Sequence, residues 1–143
     1  LRYFTVYGPW GRPDMAMYLF ADGIMKEKPI KVYNHGKMKR DFTFIDDIVF
    51  GTKKALEKKY LCEVFNLGNH KSENLMDMLG IIEECIGKKA EIDFQPIQSG
   101  DVLESFADIE KSTKLLNYNP TTNIQEGVPQ FIDWYKYYSS LDK

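Results

Sequence analysis

The sequence alternates short β-type segments with amphipathic helical segments, and this alternation limits the possible folds more than any other feature. Residues 1–7 are mostly aromatic or β-branched, which is typical of a strand, and they lead into a Gly- and Pro-containing loop at 8–13. A helical pattern follows up to Lys26, with Asp14 as its predicted N-cap. Strands that alternate with helices predict an α/β architecture, here with a few strands and about five helices.

Local signals predict the remaining elements. Two strands, at 30–33 and 40–44, flank a turn at 34–37 and predict a hairpin. An amphipathic helix at 75–86 ends at Gly87. The other predictions are a helix capped by Asp46, strands at 64–68 and 90–94, an irregular loop at 96–101, a helix opening at Asp108 and a last helix from 124 to about 138.

The strand at 1–7 needs a hydrogen-bonded neighbour, and the sequence offers few candidates for one. We therefore expect that its neighbours lie on a portion of the fold outside this chain. The surface that packs on such a portion is expected to be apolar. Exposed apolar surface in turn predicts self-association.

Composition excludes several classes of function. The net charge of the 143 residues is −2, and the densest basic patch, at 53–59, lies on a predicted helix and includes Glu57. Such a patch is typical of a solvated helix face, so no nucleic-acid partner is predicted. No apolar run approaches the roughly 20 residues that a membrane span needs, so no membrane partner is predicted either.

The cysteines and histidines do not predict a metal site. Cys62 and Cys85 are far apart in sequence and have apolar neighbours, which favours buried free thiols in a reducing cytoplasm. His35 and His70 are not at metal-ligand spacing from another His or Cys. The expected localisation is therefore cytoplasmic, with no bound metal.

The sequence contains no recognisable catalytic constellation, and no catalytic residue is predicted. It lacks a Ser-His-Asp pattern, a P-loop and a GxGxxG turn that opens a helix after a strand. Tyr33 and Lys37 have the Tyr-x-x-x-Lys spacing of a dehydrogenase pair, but Asn34 and Gly36 place them in a turn rather than on one helix face. That match is a coincidence of spacing.

Three polar loop residues are candidates for ligand binding. Arg12, beside a rigid proline, could contact a carboxylate or phosphate through two hydrogen bonds, or could pair with Asp14 or Asp22. Arg40 could bind a phosphate, or could pair with Asp41 or Asp46. Asp101, after a glycine, could accept hydrogen bonds from ribose hydroxyls, or could be a turn or cap residue.

Taken together, eight segments resemble the C-terminal part of the extended short-chain dehydrogenase/reductase family. Within that family, the NAD-dependent nucleotide-sugar epimerases and dehydratases are most similar, and FTVYGPWGRPDMA is closest to UDP-glucuronate 4-epimerases. The segments keep the family's order and cover essentially the whole chain. They are LRYFTVYGPWGRPDMA (1–16), VYNHGKMKRDFTFIDDI (32–48), FNLGN (65–69), QSGDV (98–102), AD (107–108), LNYNPTTNIQEGV (116–128) and FIDWY (131–135), with the first of these counted as a strand segment and a turn segment.

The resemblance implies a role for six residues. Thr5 and Arg12 would lie near the sugar, with Arg12 facing the glucuronate carboxylate. Val32 and Tyr33 would flank the uracil, Arg40 would bind the diphosphate and Asp101 the ribose. Two departures, Gln98 in place of an arginine and Ser105 in place of a tyrosine, weaken a UDP-galactose assignment more than a UDP-glucuronate one.

The resemblance also implies how the chain functions. Residues 1–143 would be the C-terminal substrate-binding portion of a Rossmann-like fold, and an N-terminal portion would hold NAD and the catalytic Tyr and Lys. The parent enzyme would interconvert UDP-glucuronate and UDP-galacturonate, with a UDP-sugar as the small-molecule partner, and this chain alone would be inactive. The alternatives are another UDP- or dTDP-sugar epimerase, a dehydratase or decarboxylase of the family, and a stand-alone nucleotide-binding or interaction module.

Overall fold

The structure is a computed structural model that describes residues 1–141. It contains short strands and five helices, which confirms the predicted α/β class. The helices are α1 (Ala16–Met25), α2 (Ile45–Glu57), α3 (Leu75–Ile86), α4 (Glu110–Leu116) and α5 (Ile124–Leu141). The strands are β1 (Arg2–Tyr3), β2 (Thr5–Tyr7), β3 (Ile30–Val32), β4 (Lys39–Arg40), β5 (Phe42–Phe44), β6 (Asn66–Leu67), β7 (Glu73–Asn74) and β8 (Ile92–Phe94).

The first strand finds neighbours within this chain. It is divided at Phe4: β1 pairs in parallel with β6, and β2 pairs in parallel with β5. The change of partner is visible in the backbone, because Phe4 N donates to Leu67 O while Thr5 N donates to Asp41 O. The expectation that the neighbours of the strand at 1–7 lie outside this chain is therefore wrong for β5 and β6, which both pair with it.

The predicted hairpin is also wrong. β3 pairs in parallel with β8, and β4 pairs antiparallel with β7, so neither strand pairs with the other. The turn itself is present as a 3₁₀ turn at Tyr33–Gly36, in which Asn34 and His35 both have a φ of 50°. Local turn chemistry was interpreted correctly, but burial of Ile30 and Val32 in the core selects distant partners for the strands.

The helix ends agree with the sequence where the signal is strictly local. Gly87 ends α3 with a φ of 77°, and Asp108 Oδ1 accepts a hydrogen bond from the first amide of α4 at 3.0 Å. Two predicted caps are wrong, since α1 and α2 begin after Met15 and Phe44 without a side-chain cap. Asp14 instead bonds to Arg12, and Asp46 lies inside the first turn of α2.

Two hydrophobic clusters hold these elements together. The larger one joins α1, α3 and α5 to β2, β3 and β5. The smaller one surrounds Tyr118, whose hydroxyl donates to Gly68 O at 3.0 Å. Burial raises the pKa of Tyr118, so this hydroxyl remains a donor at neutral pH. Phe4 and Val6 pack against the smaller cluster, which therefore joins the segment after β6 to the first strand.

Part of the apolar surface remains exposed. Leu1 and Tyr3 on the first strand and Val49 and Phe50 on α2 are exposed, and the Tyr3 hydroxyl lies 3.1 Å from Thr52 Oγ1. Cys62 is exposed, so its predicted burial is wrong, while Cys85 is half-buried. Across residues 1–141, no helix has both the length and the apolar character that a membrane crossing requires.

Candidate functional site

Four of the six predicted site residues line one cavity. Thr5, Tyr33, Arg40 and Asp101, which come from four separate segments, surround a space of about 320 Å³. The rest of the wall is mostly apolar, with Met15, Met38, Phe42 and Leu75 among its residues. A mostly apolar cavity with a few converging polar groups is typical of a small-molecule site.

The polar end of this cavity is an ion pair. Arg40 Nη2 donates to Asp101 Oδ1 at 2.6 Å, and Nη1 donates to Lys39 O at 2.8 Å. The two side chains are only 16% and 33% exposed, so the charges are largely withdrawn from water. The sequence-based alternative that paired Arg40 with Asp41 or Asp46 is thus replaced by a partner 61 residues away.

Asp41 holds the segments around this pair, and sequence reasoning missed its role. Its carboxylate is fully buried and accepts hydrogen bonds from Thr43 Oγ1 at 2.9 Å, Asn69 N at 2.6 Å and Ala107 N at 3.0 Å. Its own amide donates to Ser105 Oγ at 3.1 Å. A carboxylate next to Phe42 in a predicted strand was the signal that could have revealed it, because such a group needs several donors when buried.

Arg12 lies at a second cavity of about 360 Å³, next to the first. The two cavities share Val6, Tyr7 and Met15 in their walls. Arg12 Nε and Nη2 donate to the two carboxylate oxygens of Asp14 at 3.0 and 2.5 Å. This is the pairing that the sequence offered as the alternative to a ligand contact.

The Arg12–Asp14 pair lies in water. The two side chains are 74% and 62% exposed. The hydrogen bond from Arg12 lowers the pKa of Asp14, and the same bond raises the pKa of Arg12. Both groups are therefore charged at neutral pH, and the guanidinium binds the Asp14 carboxylate through two hydrogen bonds.

Val32 and Tyr33 are adjacent in sequence, but only Tyr33 faces the first cavity. Tyr33 lines the first cavity, whereas the Val32 side chain is completely buried in the core and is not part of the cavity wall. Its backbone is buried as well, and Val32 O accepts a hydrogen bond from Gln95 N at 2.9 Å. Its role, like that of the other five residues, stays a prediction.

Other polar groups near the site have structural partners. Tyr7 lines both cavities, but its hydroxyl donates to Asn123 O at 3.1 Å, and burial raises its pKa, so it does not supply a base at neutral pH. His70 Nδ1 lies 2.9 Å from Ala107 O. Among residues 1–141, no three His, Cys, Asp or Glu side chains are grouped as a metal site requires.

Comparison with known proteins shows which proteins the chain resembles. Residues 1–68 match the model described as the NAD dependent epimerase/dehydratase family, which confirms the resemblance noted in the sequence. The chain is 50% identical to an uncharacterized protein of Methanocaldococcus jannaschii, over 94% of this chain and 41% of that protein. It is 44% identical to a UDP-glucuronate 4-epimerase of Thermodesulfobacterium geofontis, over 95% of this chain and 42% of that protein.

A solved structure supports the same conclusion. The UDP-glucuronic acid 4-epimerase from Bacillus cereus, in complex with UDP-glucuronic acid and NAD, superposes with a TM-score of 0.91 at 37% identity. The match covers 96% of this chain and 44% of that one. The chain therefore spans less than half the length of these relatives and is similar to their C-terminal part.

Proposed function

We propose that this chain is the substrate-binding portion of an NAD-dependent nucleotide-sugar 4-epimerase that acts on UDP-glucuronate. The observation that carries the proposal is the convergence of Thr5, Tyr33, Arg40 and Asp101 on one cavity, with Arg12 at the adjoining one. Each relative with the named epimerase activity is matched over its C-terminal part only. The activity of a whole enzyme is thus part of the proposal.

The distribution of charge matches the chemistry of a UDP-sugar. Arg40 supplies a fixed positive charge for the diphosphate, and Asp101 supplies acceptors for ribose hydroxyls. Tyr33 offers an aromatic ring to the uracil. A nucleotide anchored in this way leaves the sugar at the wall that both cavities share, within reach of the Arg12 loop.

The reaction requires the sugar to turn while the nucleotide stays bound. In the parent enzyme, NAD held by an N-terminal portion would accept hydride from C4 and return it to the other face of the sugar. The residues of this chain hold the UDP group, orient the sugar and bind its carboxylate. A site that grips one end of a ligand and leaves the other mobile suits this task.

Binding calorimetry on the purified chain tests the nucleotide part of the proposal. Titration with UDP, UDP-glucose and UDP-glucuronate is compared between the wild type, Arg40→Ala and Arg12→Ala. We expect Arg40→Ala to weaken all three ligands by about 10- to 100-fold, the range for a hydrogen bond to a charged group. Arg12→Ala should weaken UDP-glucuronate alone.

Arg2→Ala is the matched control, because Arg2 is exposed on β1 and lines neither cavity. Absence of UDP binding by the wild type, or equal effects of the three arginine variants, would contradict the proposal. The chain is also expected to leave UDP-glucuronate unconverted when NAD is added. Conversion by this chain would overturn the assignment of the catalytic groups to another portion.

Self-association through the apolar surface of β1 and α2 is part of the same proposal. Leu1, Tyr3, Val49 and Phe50 are exposed, and the hydrogen-bond contact between Tyr3 and Thr52 brings the strand and the helix together. Light scattering on the wild type and on Val49→Lys/Phe50→Lys measures the effect. A monomeric wild type at high concentration would contradict this part alone.

A further inference from the structure

The loop that carries Arg12 contains a tryptophan in an unusual backbone conformation. Gly11 N donates to Gly8 O at 3.1 Å and closes a tight turn, in which Trp10 has a φ of 63°. A positive φ at this position of a turn ordinarily selects glycine, because a side chain there is strained. An indole at this position therefore needs a compensating contact.

That contact is made with α5. The Trp10 ring lies 5.5 Å from the Trp134 ring and 5.9 Å from the Tyr138 ring, measured between centroids. The Trp134 and Tyr138 rings stack on each other at 5.2 Å, and Trp134 also contacts the buried ring of Phe131 at 5.7 Å. Trp10 thus connects the turn to the main core through a chain of aromatic rings.

Burial of apolar surface does not account for the position of Trp10. The residue is 76% exposed, so most of its surface remains in water. The Trp10 ring is tilted at 52° to the Trp134 ring and makes an edge-type contact at 70° with the Tyr138 ring, and the edge-type contact is a favourable geometry for aromatic pairs. What the contact does is fix where the turn lies.

Arg12 depends on this fixation. Its side-chain hydrogen bonds go to Asp14, which belongs to the same loop and moves with it. The backbone of the loop continues as a second turn, in which Met15 N donates to Arg12 O at 3.2 Å. Trp10 and Arg12 line the same cavity, so a shift of the indole shifts the guanidinium relative to the ligand.

We propose that Trp10 is a positioning residue, whose contact with Trp134 and Tyr138 holds Arg12 where it can select a ligand carboxylate. This inference rests on the proposed function, because it takes Arg12 as the group that binds the sugar acid. The ligand is a nucleotide sugar with a carboxylate on the sugar. Trp10 itself makes no bond to the carboxylate in this proposal.

Two variants remove the contact from opposite sides. Trp10→Gly removes the indole and places at φ 63° the residue that tolerates it best, so the turn itself is retained. Trp134→Leu removes the partner ring and leaves the turn sequence unchanged. Tyr137→Ala is the matched control, since this exposed aromatic residue of α5 makes no ring contact among residues 1–141.

Calorimetry measures the ratio of the affinities for UDP-glucuronate and UDP-glucose. We expect both contact variants to lower this ratio by about two- to tenfold, the factor that corresponds to one or two aromatic contacts, with UDP affinity unchanged. Tyr137→Ala should keep the wild-type ratio. A general loss of folding would lower UDP affinity too, and so is distinguished from a loss of positioning.

Hydrogen exchange provides a readout without ligand. The Gly11 and Met15 amides should exchange about tenfold faster in Trp134→Leu than in Tyr137→Ala, because the loop loses its anchor. Unchanged exchange together with an unchanged affinity ratio would overturn the inference. If Arg12→Ala does not alter the ratio, the proposed function fails; if Arg12→Ala alters it and the contact variants do not, only the role of Trp10 fails.

Discussion

The two arginine–carboxylate pairs of the candidate site have the same chemistry in very different surroundings. Arg40 and Asp101 are 61 residues apart in sequence, are largely withdrawn from water, and have backbone groups as additional partners. Arg12 and Asp14 are two residues apart and lie in water on a loop. The first pair links distant parts of the fold, whereas the second links a loop to itself.

We call the part of the site at Arg40 and Asp101 the rigid end and the part at Arg12 the adaptable end. Arg40 and Asp101 have partners in distant parts of the fold, whereas the side chain of Arg12 has its partner in its own loop. Asp41 joins the strand that carries Arg40 to the segments at Asn69 and Ala107, so the fold sets the position of Arg40, which in turn pairs with Asp101. The position of Arg12 is set by one turn and the contacts of Trp10. Under the proposed function, the first pair would hold the nucleotide and the second would adjust to a sugar that rotates during the reaction.

The largest effect should come from removing the buried carboxylate at the rigid end. Asp41→Ala leaves the Asn69 and Ala107 amides without their acceptor, at a cost of about 1–3 kcal/mol each. We expect the free energy of unfolding in urea to fall by about 3 kcal/mol or more. Asp14→Ala should leave the urea midpoint unchanged. Equal losses of unfolding free energy in the two variants would contradict the proposed difference between the two ends.

A smaller loss of stability is expected when a methyl group is added beside Asp41. A Cβ on Gly68 would lie 2.3 Å from Ala107 Cβ and 3.1 Å from Asp41 Oδ1, so Gly68→Ala should destabilise the chain by about 1–3 kcal/mol. Gly80→Ala is the control, because its Cβ meets no atom within 4 Å in the middle of α3. That variant should be more stable by up to about 1 kcal/mol, and thermal unfolding measures both.

The two carboxylates should respond differently to neutralisation. Asp101→Asn removes the charged partner of Arg40 and the acceptor that the proposed function assigns to the ribose, so UDP affinity should fall about tenfold. Asp14→Asn should leave UDP affinity unchanged and strengthen UDP-glucuronate binding by about two- to threefold, since Arg12 no longer holds an internal carboxylate. A weaker UDP-glucuronate complex in Asp14→Asn would mean that Asp14 orients Arg12 rather than competes for it.

The smallest effect is a shift in one titration. The hydrogen bond from Arg12 stabilises the ionised form of Asp14 and lowers its pKa, so the pair persists above the ordinary value of about 3.9 and breaks only as the pH falls below it. Arg12→Ala should raise the pKa of Asp14 toward that value in an NMR titration. Arg2→Ala should not change it, and an equal shift in that variant would show a general field effect instead.

Among the local signals, two helix ends were predicted correctly and the caps at Asp14 and Asp46 were not. The end of α3 at Gly87 and the start of α4 after Asp108 depend on local backbone geometry, which the residue type reports directly. The predicted hairpin failed because the pairing of β3 with β8 is decided by burial against distant helices. Local residue types thus indicate where a helix such as α3 ends, whereas packing in the core decides which strands pair.

The candidate site shows the same division. The residue types at Arg40 and Asp101, and the family resemblance at Thr5, indicated ligand binding, and these three residues do line one cavity. The pairing of Arg40 with Asp101 and the burial of Asp41 could not be predicted, because both depend on partners that lie dozens of residues away. Those contacts appear only when the loops are placed in three dimensions.

The aromatic contact at the Arg12 loop has an optical consequence. The chain contains only two tryptophans, Trp10 and Trp134, and their rings lie 5.5 Å apart at an angle of 52°. Two indoles this close and inclined to each other couple electronically, so this contact contributes to the tryptophan bands of the near-ultraviolet circular dichroism spectrum of the unlabelled chain. The loop that is proposed to read the sugar acid thereby carries its own spectroscopic probe.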